Sequence, residues 1–327
     1  MVRSPALKIF LVYFIVAFMV LLGAYSFPRE SALSEAVPVL LSVGLLVPLY
    51  IWHRSYAEED KLSKEIDGRP RSAVLFWILI LFILALAVRI PSVLLLGMTY
   101  EKTPLIYLLI LTIVVIERTN VSVFGFRSEK IGLSLLKGAT FYLVLGGSML
   151  SIEYLLIYAL TDQAIWVSFS ILPFLFAMPF QTLCVGMSEE GFFRGYIQTH
   201  LEKVSTFRRA ILAQAFLFGL WHFVWNISPF NLLGMGIYVT TSCIWGSLAG
   251  YFYGKSRSLI SVIFTHGLWN SVIIGMLTNE AALSALERMP LLSQIAVHLL
   301  PHIIGGMFTF VFIKYLPAGI YQPVRSD

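Results

Sequence analysis

The chain has 327 residues, 58% apolar and only 13% charged, and a soluble fold of this length would need far more polar surface to meet water. Its formal charge of +5 comes from basic residues scattered over loops rather than gathered into a stripe, which argues against a nucleic-acid partner. Backbone amides cannot go unpaired in lipid, and the apolar runs are too long and too continuous for barrel strands, so the expected fold is an all-α polytopic transmembrane bundle of roughly 8–10 spanning helices.

Residues 6–27 form the first expected crossing; the stretch is longer than a signal-peptide core and ends without a convincing cleavage site. A second crossing over 37–52 opens into the most polar stretch, 53–72, with Arg54, Lys61, Lys64, Arg69 and Arg71 among five acids. Further crossings are expected at 73–98, 104–117, 131–160, 166–202, 207–227, 231–253, 258–277 and 291–317. The span 166–202 is overlong and holds Pro173 and Pro179, which predicts a broken helix.

With a cytoplasmic amino terminus, the basic clusters after residue 52, around Arg118 to Lys130, at Lys203 to Arg209, at Lys255 and Arg257, and at Lys314 and Arg325 fall on one side. The opposite turns carry single cations, Arg29, Lys102 and Arg288. The positive-inside rule then puts both termini in the cytoplasm, in a prokaryotic plasma membrane or a eukaryotic endoplasmic reticulum. The chain divides into 1–72 (amino-terminal membrane helices and cytoplasmic loop), 73–165 (helices packing on the core), 166–277 (the core with the polar motifs) and 278–327 (the last helix and tail). Gly246, Gly250 and Gly254 have the spacing of a close helix contact, and Cys184 and Cys243 are expected as free, buried thiols.

Ionisable groups at membrane depth are costly, so each needs a partner or a function. Glu190 and Arg194 are four apart and can pair on one helical face. Glu189 points about 100° away, leaving a carboxylate without a cation and suited to act as a general base. His222 lies in the next crossing, and His266 and Asn270 share a face of a later one. Glu189 lies 14 residues before Lys203 and His222 lies 16 after Thr206, about 21 and 24 Å from one cytoplasmic turn. His266 and Asn270 lie 10 and 14 residues beyond Ser256, about 15 and 21 Å deep. Three helices thus bring these groups to one level. Arg89, Glu153, His298 and His302 fall outside the constellation and read as structural or peripheral.

The motifs Glu189-Glu190-x-x-x-Arg194, Phe218-x-x-x-His222 and His266-x-x-x-Asn270, in this order on separate apolar segments, resemble those of the CAAX protease and bacteriocin-processing family, which includes the CAAX prenyl endopeptidases. The resemblance covers roughly residues 166–275. It implies an intramembrane endopeptidase in which Glu189 and His222 activate water, His266 and Asn270 form the oxyanion site, and Glu190 and Arg194 support the motif helix. It further implies no metal and a lipidated or membrane-embedded peptide as substrate. Two rivals stand beside it. One is a zinc enzyme with Glu189, His222 and His266 as ligands; the other is a non-proteolytic scaffold or immunity protein. The sequence does not read out an oligomeric state.

Overall fold

The computed structural model describes residues 5–26, 32–57, 62–127 and 130–315. Arg29, Lys61 and Arg325, which enter the charge-sidedness argument, lie outside the described residues. The helices in chain order are α1 (Pro5–Tyr25), α2 (Ala32–Gly44), α3 (Leu46–Ala57), α4 (Arg71–Leu96), α5 (Lys102–Ile116), α6 (Ile131–Thr161), α7 (Ile171–Val204), α8 (Phe207–Trp221), α9 (Leu232–Ser256), α10 (Leu259–Gly275), α11 (Glu280–Glu287) and α12 (Leu291–Tyr315). Among the described residues seven spans are long and apolar enough to cross a membrane; α5, α8 and α10 are shorter and lie within the same bundle. The expected all-α polytopic bundle is what the chain forms.

The distribution of polarity is inverted relative to a soluble protein. Phe18, Phe76, Leu143, Leu172 and Met307 are exposed on the outside of the bundle, whereas Arg89, Glu101, Lys102, Glu189, Glu190 and Arg194 are buried. Exposed apolar surface on every side suits lipid, and buried charge demands internal partners. One apolar cluster runs from Ile9 in α1 to Ile313 in α12, so the amino-terminal helices share the core of the later ones.

Local chemistry sets several helix ends. Thr206, Asn231 and Ser258 accept hydrogen bonds from backbone amides of the first turns of α8, α9 and α10, the usual way of satisfying donors left free at a helix start. The expected break in 166–202 falls elsewhere. Residues Trp166–Phe169 form a short strand, β1, paired antiparallel with β2 (Met276–Thr278), and α7 then runs unbroken. Pro173 sits in its first turn, where no amide partner is lost. Pro179 lies just before a widened stretch at Gln181–Gly186, and a second widened stretch follows at Gly191–Gln198. Such wide turns accommodate irregular hydrogen bonding and recur at functional sites.

Glycines let the key helices touch. An added Cβ at Gly138 in α6 would lie 2.5 Å from the Ser261 carbonyl oxygen, and one at Gly186 in α7 would lie 2.7 Å from that of Ile263. Helix α10 is therefore clasped from two sides, with Thr265 Oγ1 donating to the Gly138 carbonyl at 2.9 Å. The 246–250–254 series packs α9 onto α8 and α7, as its spacing predicts: Gly246 faces the Ala215 backbone, Gly250 faces Gln214 and Gln198, and Gly254 faces Phe207. Cys184 is buried, but Cys243 is only half-buried, against the expectation for both; its Sγ packs beside Gly219 of α8.

Gly186→Ala should destabilise the protein by about 1–3 kcal/mol, since α7 and α10 must separate to admit a methyl group. Gly147→Ala, where an added Cβ meets nothing within 4 Å, should leave stability unchanged or slightly raised. Thermal unfolding of both variants in detergent separates the two cases.

Candidate active site

The six polar residues singled out above belong to one assembly. Helix α7 carries Glu189 and Glu190 in the regular stretch between its two widened turns. The two carboxylates leave the helix in different directions and meet different partners.

Glu190 Oε1 accepts from Arg194 Nη1 at 3.2 Å and from His266 Nδ1 at 2.7 Å. All three side chains are buried, and the Arg194 guanidinium also lies over the Phe218 ring, 4.1 Å from its centroid, and near the Trp245 ring at 5.0 Å. The expected Glu190–Arg194 pair thus forms, and it reaches one residue further, to fix His266.

Glu189 Oε1 accepts from Lys102 Nζ at 2.5 Å and from Trp221 Nε1 at 2.9 Å, with Arg89 Nη1 at 3.8 Å. A carboxylate without a cation was the expectation here, and the structure corrects it. Lys102 is not a turn residue facing water: it begins α5, is 1% exposed, and bridges Glu189 and Glu101 Oε1, the latter at 2.8 Å. Of the two readings left open for Arg89, structural and peripheral, the structure shows the first: it pairs with Glu101 Oε1 at 2.5 Å and donates from Nε to the Trp221 carbonyl at 3.0 Å.

Glu189 Oε2 has no hydrogen-bond partner. It faces His266 Nε2 at 3.6 Å and His222 Nε2 at 4.0 Å. His222 Nδ1 lies 2.8 Å from the Phe218 carbonyl oxygen, which can only accept, so Nδ1 carries the hydrogen and neutral His222 presents a lone pair at Nε2. His266 donates Nδ1–H to the Glu190 carboxylate, so its Nε2 carries a hydrogen only in the imidazolium form. Asn270 is held by Gln181 from the first widened turn of α7, Nδ2 to Oε1 at 2.9 Å.

A cavity of about 100 Å³ opens beside these groups, lined by His222, His266 and Asn270 together with Tyr238, Trp269 and His302. His302 is structural or peripheral by its sequence alone, because nothing in its own segment relates it to the motifs; α12 brings it to the cavity. Helix α8, 15 residues long, ends at Trp221. The site thus lies about 22 Å from the turn at which α8 starts, in line with the depth expected from residue counting.

Residues 169–272 match the family model of the Rce1-like type II CAAX prenyl endopeptidases. The Rce1-like match begins at the end of β1 and stops inside α10, so it takes in Glu189, Glu190, Arg194, His222, His266 and Asn270. It also supports the general class, a membrane-embedded endopeptidase of the CAAX type. Arg89, Glu101, Lys102 and His302 lie outside the Rce1-like segment. No curated protein and no solved structure matches the chain.

Arg194→Met should strand the buried Glu190 carboxylate and destabilise the protein by about 3–5 kcal/mol. Adding Glu190→Gln to that variant should recover a large part of the loss, a coupling that paired thermal melts of the single and double variants will read.

Proposed function

We propose that this protein is an intramembrane endopeptidase that hydrolyses a peptide bond near the carboxy terminus of a prenylated, CAAX-type or other membrane-associated peptide. The observation that carries the reading is the unpartnered Glu189 Oε2, buried and turned toward two imidazole nitrogens. A buried carboxylate oxygen left without a donor is costly unless the site uses it.

The 4.0 Å between Oε2 and His222 Nε2 is shorter than two hydrogen bonds of about 2.8 Å laid end to end, so one water can bond to both atoms. Both are acceptors, and a water donating to both is polarised for attack. In the proposed step its oxygen bonds to the scissile carbonyl carbon while a proton passes to Glu189 Oε2. The carbonyl oxygen becomes an oxyanion, met by donors from imidazolium His266 and the Asn270 amide. Collapse of this intermediate breaks the C–N bond, and the proton returns to the leaving nitrogen. The products are a carboxylic acid, which keeps the second water proton, and an amine, and they ionise to a carboxylate and an ammonium, so atoms and charge balance. Glu190 and Arg194 hold His266 and the motif helix in place.

The reading takes the reaction to be metal-free. Glu189, His222 and His266 are the residues a zinc ion would use, yet Lys102 Nζ already bonds to Oε1 of the same carboxylate at 2.5 Å, an ammonium charge that would oppose a dication at the neighbouring Oε2. Among the described residues no group of three His, Cys, Asp or Glu side chains has metal-holding geometry. The apolar exterior and the depth of the site favour a substrate that reaches it through lipid, and the basic connections favour cytoplasmic termini.

Cleavage of a farnesylated CAAX-type peptide by detergent-purified protein tests the proposal. Glu189→Gln and His222→Ala should each lower kcat by about 10²–10⁴-fold, and His266→Ala or Asn270→Ala by on the order of 10²-fold. Chelators should leave the rate unchanged; stoichiometric zinc, with activity lost on chelation and restored by zinc, would replace this mechanism with the metal-dependent one. Folded Glu189→Gln and His222→Ala variants that keep both the rate and the cellular phenotype would put the cluster in a scaffold role.

A further inference from the structure

The cationic partners of Glu189 Oε1, Lys102 and Arg89, come from a part of the chain that the Rce1-like match does not cover. Arg89 in α4, Glu101 in the α4–α5 turn, Lys102 at the start of α5 and Glu189 in α7 form a closed group of two cations and two carboxylates, exposed by 1, 1, 1 and 2%. Their contacts run Arg89–Glu101 at 2.5 Å, Glu101–Lys102 at 2.8 Å and Lys102–Glu189 at 2.5 Å. Trp221 caps the group, its ring 4.4 Å from Arg89 and 5.0 Å from Lys102. The formal charges cancel, which is the condition under which four ions tolerate an apolar interior.

The contact is asymmetric at Glu189. Lys102 and Trp221 both bond to Oε1 and neither bonds to Oε2. A carboxylate anchored through one oxygen cannot turn about its own bond without losing both donors. We propose that Lys102 is a positioning residue for the Glu189 base, fixing Oε1 so that Oε2 is the oxygen presented to His222 and His266. Glu101 and Arg89 hold Lys102 in turn. The inference rests on reading Glu189 as the base, and it extends the working unit of the enzyme to α4 and α5.

Helix α5 is built to deliver this residue. Residues 102–110 are all buried, and the far end of the helix is also tied to α7: Glu117 accepts from Tyr196 Oη at 2.6 Å and contacts His200 Nε2 at 3.1 Å. Two polar ties, one near each end of α5, leave it little freedom to slide or rotate against α7. Lys102 Nζ therefore meets Glu189 in a fixed place.

The experiment uses the full-length protein in detergent, a farnesylated CAAX-type peptide as substrate, and the variants Lys102→Met, Lys102→Arg, Glu189→Gln and Lys102→Met with Glu189→Gln. Lys102→Met should lower kcat per folded molecule by on the order of 10²-fold with KM within about twofold, the signature of a misplaced reacting group rather than lost binding. Lys102→Arg, which keeps the charge, should recover at least about tenfold of that loss. In thermal melts Lys102→Met should lower the transition temperature, and the double variant, in which the charges again cancel, should melt above it. Wild-type kcat in Lys102→Met beside an inactive Glu189→Gln overturns the positioning role and leaves the proposed function standing. Wild-type kcat in Glu189→Gln overturns the proposed function itself. Additive melting shifts would show that Lys102 and Glu189 are not coupled, and would sink the inference whatever substrate is used.

Discussion

Burying two adjacent carboxylates in an apolar bundle is the constraint on which the rest of this structure depends. An ionised group removed from water loses several kcal/mol of solvation even after the surroundings relax. Two of them side by side on α7 also repel each other. The chain meets this by sending the carboxylates to separate sets of partners, Glu190 to Arg194 and the His266 ring, Glu189 to Lys102 and Arg89. Each set comes with its own geometric demand: α10 must approach from one direction and the α4–α5 turn from another. The packing of α4, α5 and α10 around α7 follows from those two demands.

Close approach is what lets such short contacts form. Hydrogen bonds near 2.7 Å between side chains of different helices require backbones near each other, and glycine is the residue that permits it. Gly138 and Gly186 clasp α10 on two sides, which sets the height and rotation of His266; Gly246 gives Arg194 room beside α9, its Nη2 3.3 Å from where a Cβ would stand. The glycines and the ion pairs are therefore one device. Small residues bring the helices in, and the charges choose the register at which they stop.

Much of this was legible in the sequence, and what was missed has one physical cause. Apolar runs reported the spans because the bilayer fixes their length. The Glu190–Arg194 pair was readable because four residues is a helical repeat, and the common level of Glu189, His222 and His266 followed from counting residues to shared turns. Neither method reaches contacts between residues far apart in the chain with no common turn. Lys102 and Glu189 are separated by 87 positions and Gln181 and Asn270 by 89. Lys102 was further disguised by its place, one residue from a turn, where a lysine ordinarily faces water. The signal was present in another form: Arg89, Glu101 and Lys102 are three charges beside otherwise apolar segments, and two cations there call for a second carboxylate somewhere in the bundle.

The asymmetry between the two glutamates explains how neighbours with the same chemistry come to differ in role. Each has one bonded oxygen and one without a partner, so satisfaction alone does not distinguish them. What differs is the surroundings of the unpartnered oxygen. Glu190 is 0% exposed, and its bonded oxygen is the one that touches an imidazole. Glu189 turns its unbonded oxygen toward His222 and His266, which line the cavity. A proton taken at that oxygen lies beside the Nε2 lone pair of His222, which can share it, whereas one taken at Glu190 would disrupt the bond that orients His266. The positions are one residue apart, and the helix rotation between them, about 100°, separates a group fit to react from a group fit to hold.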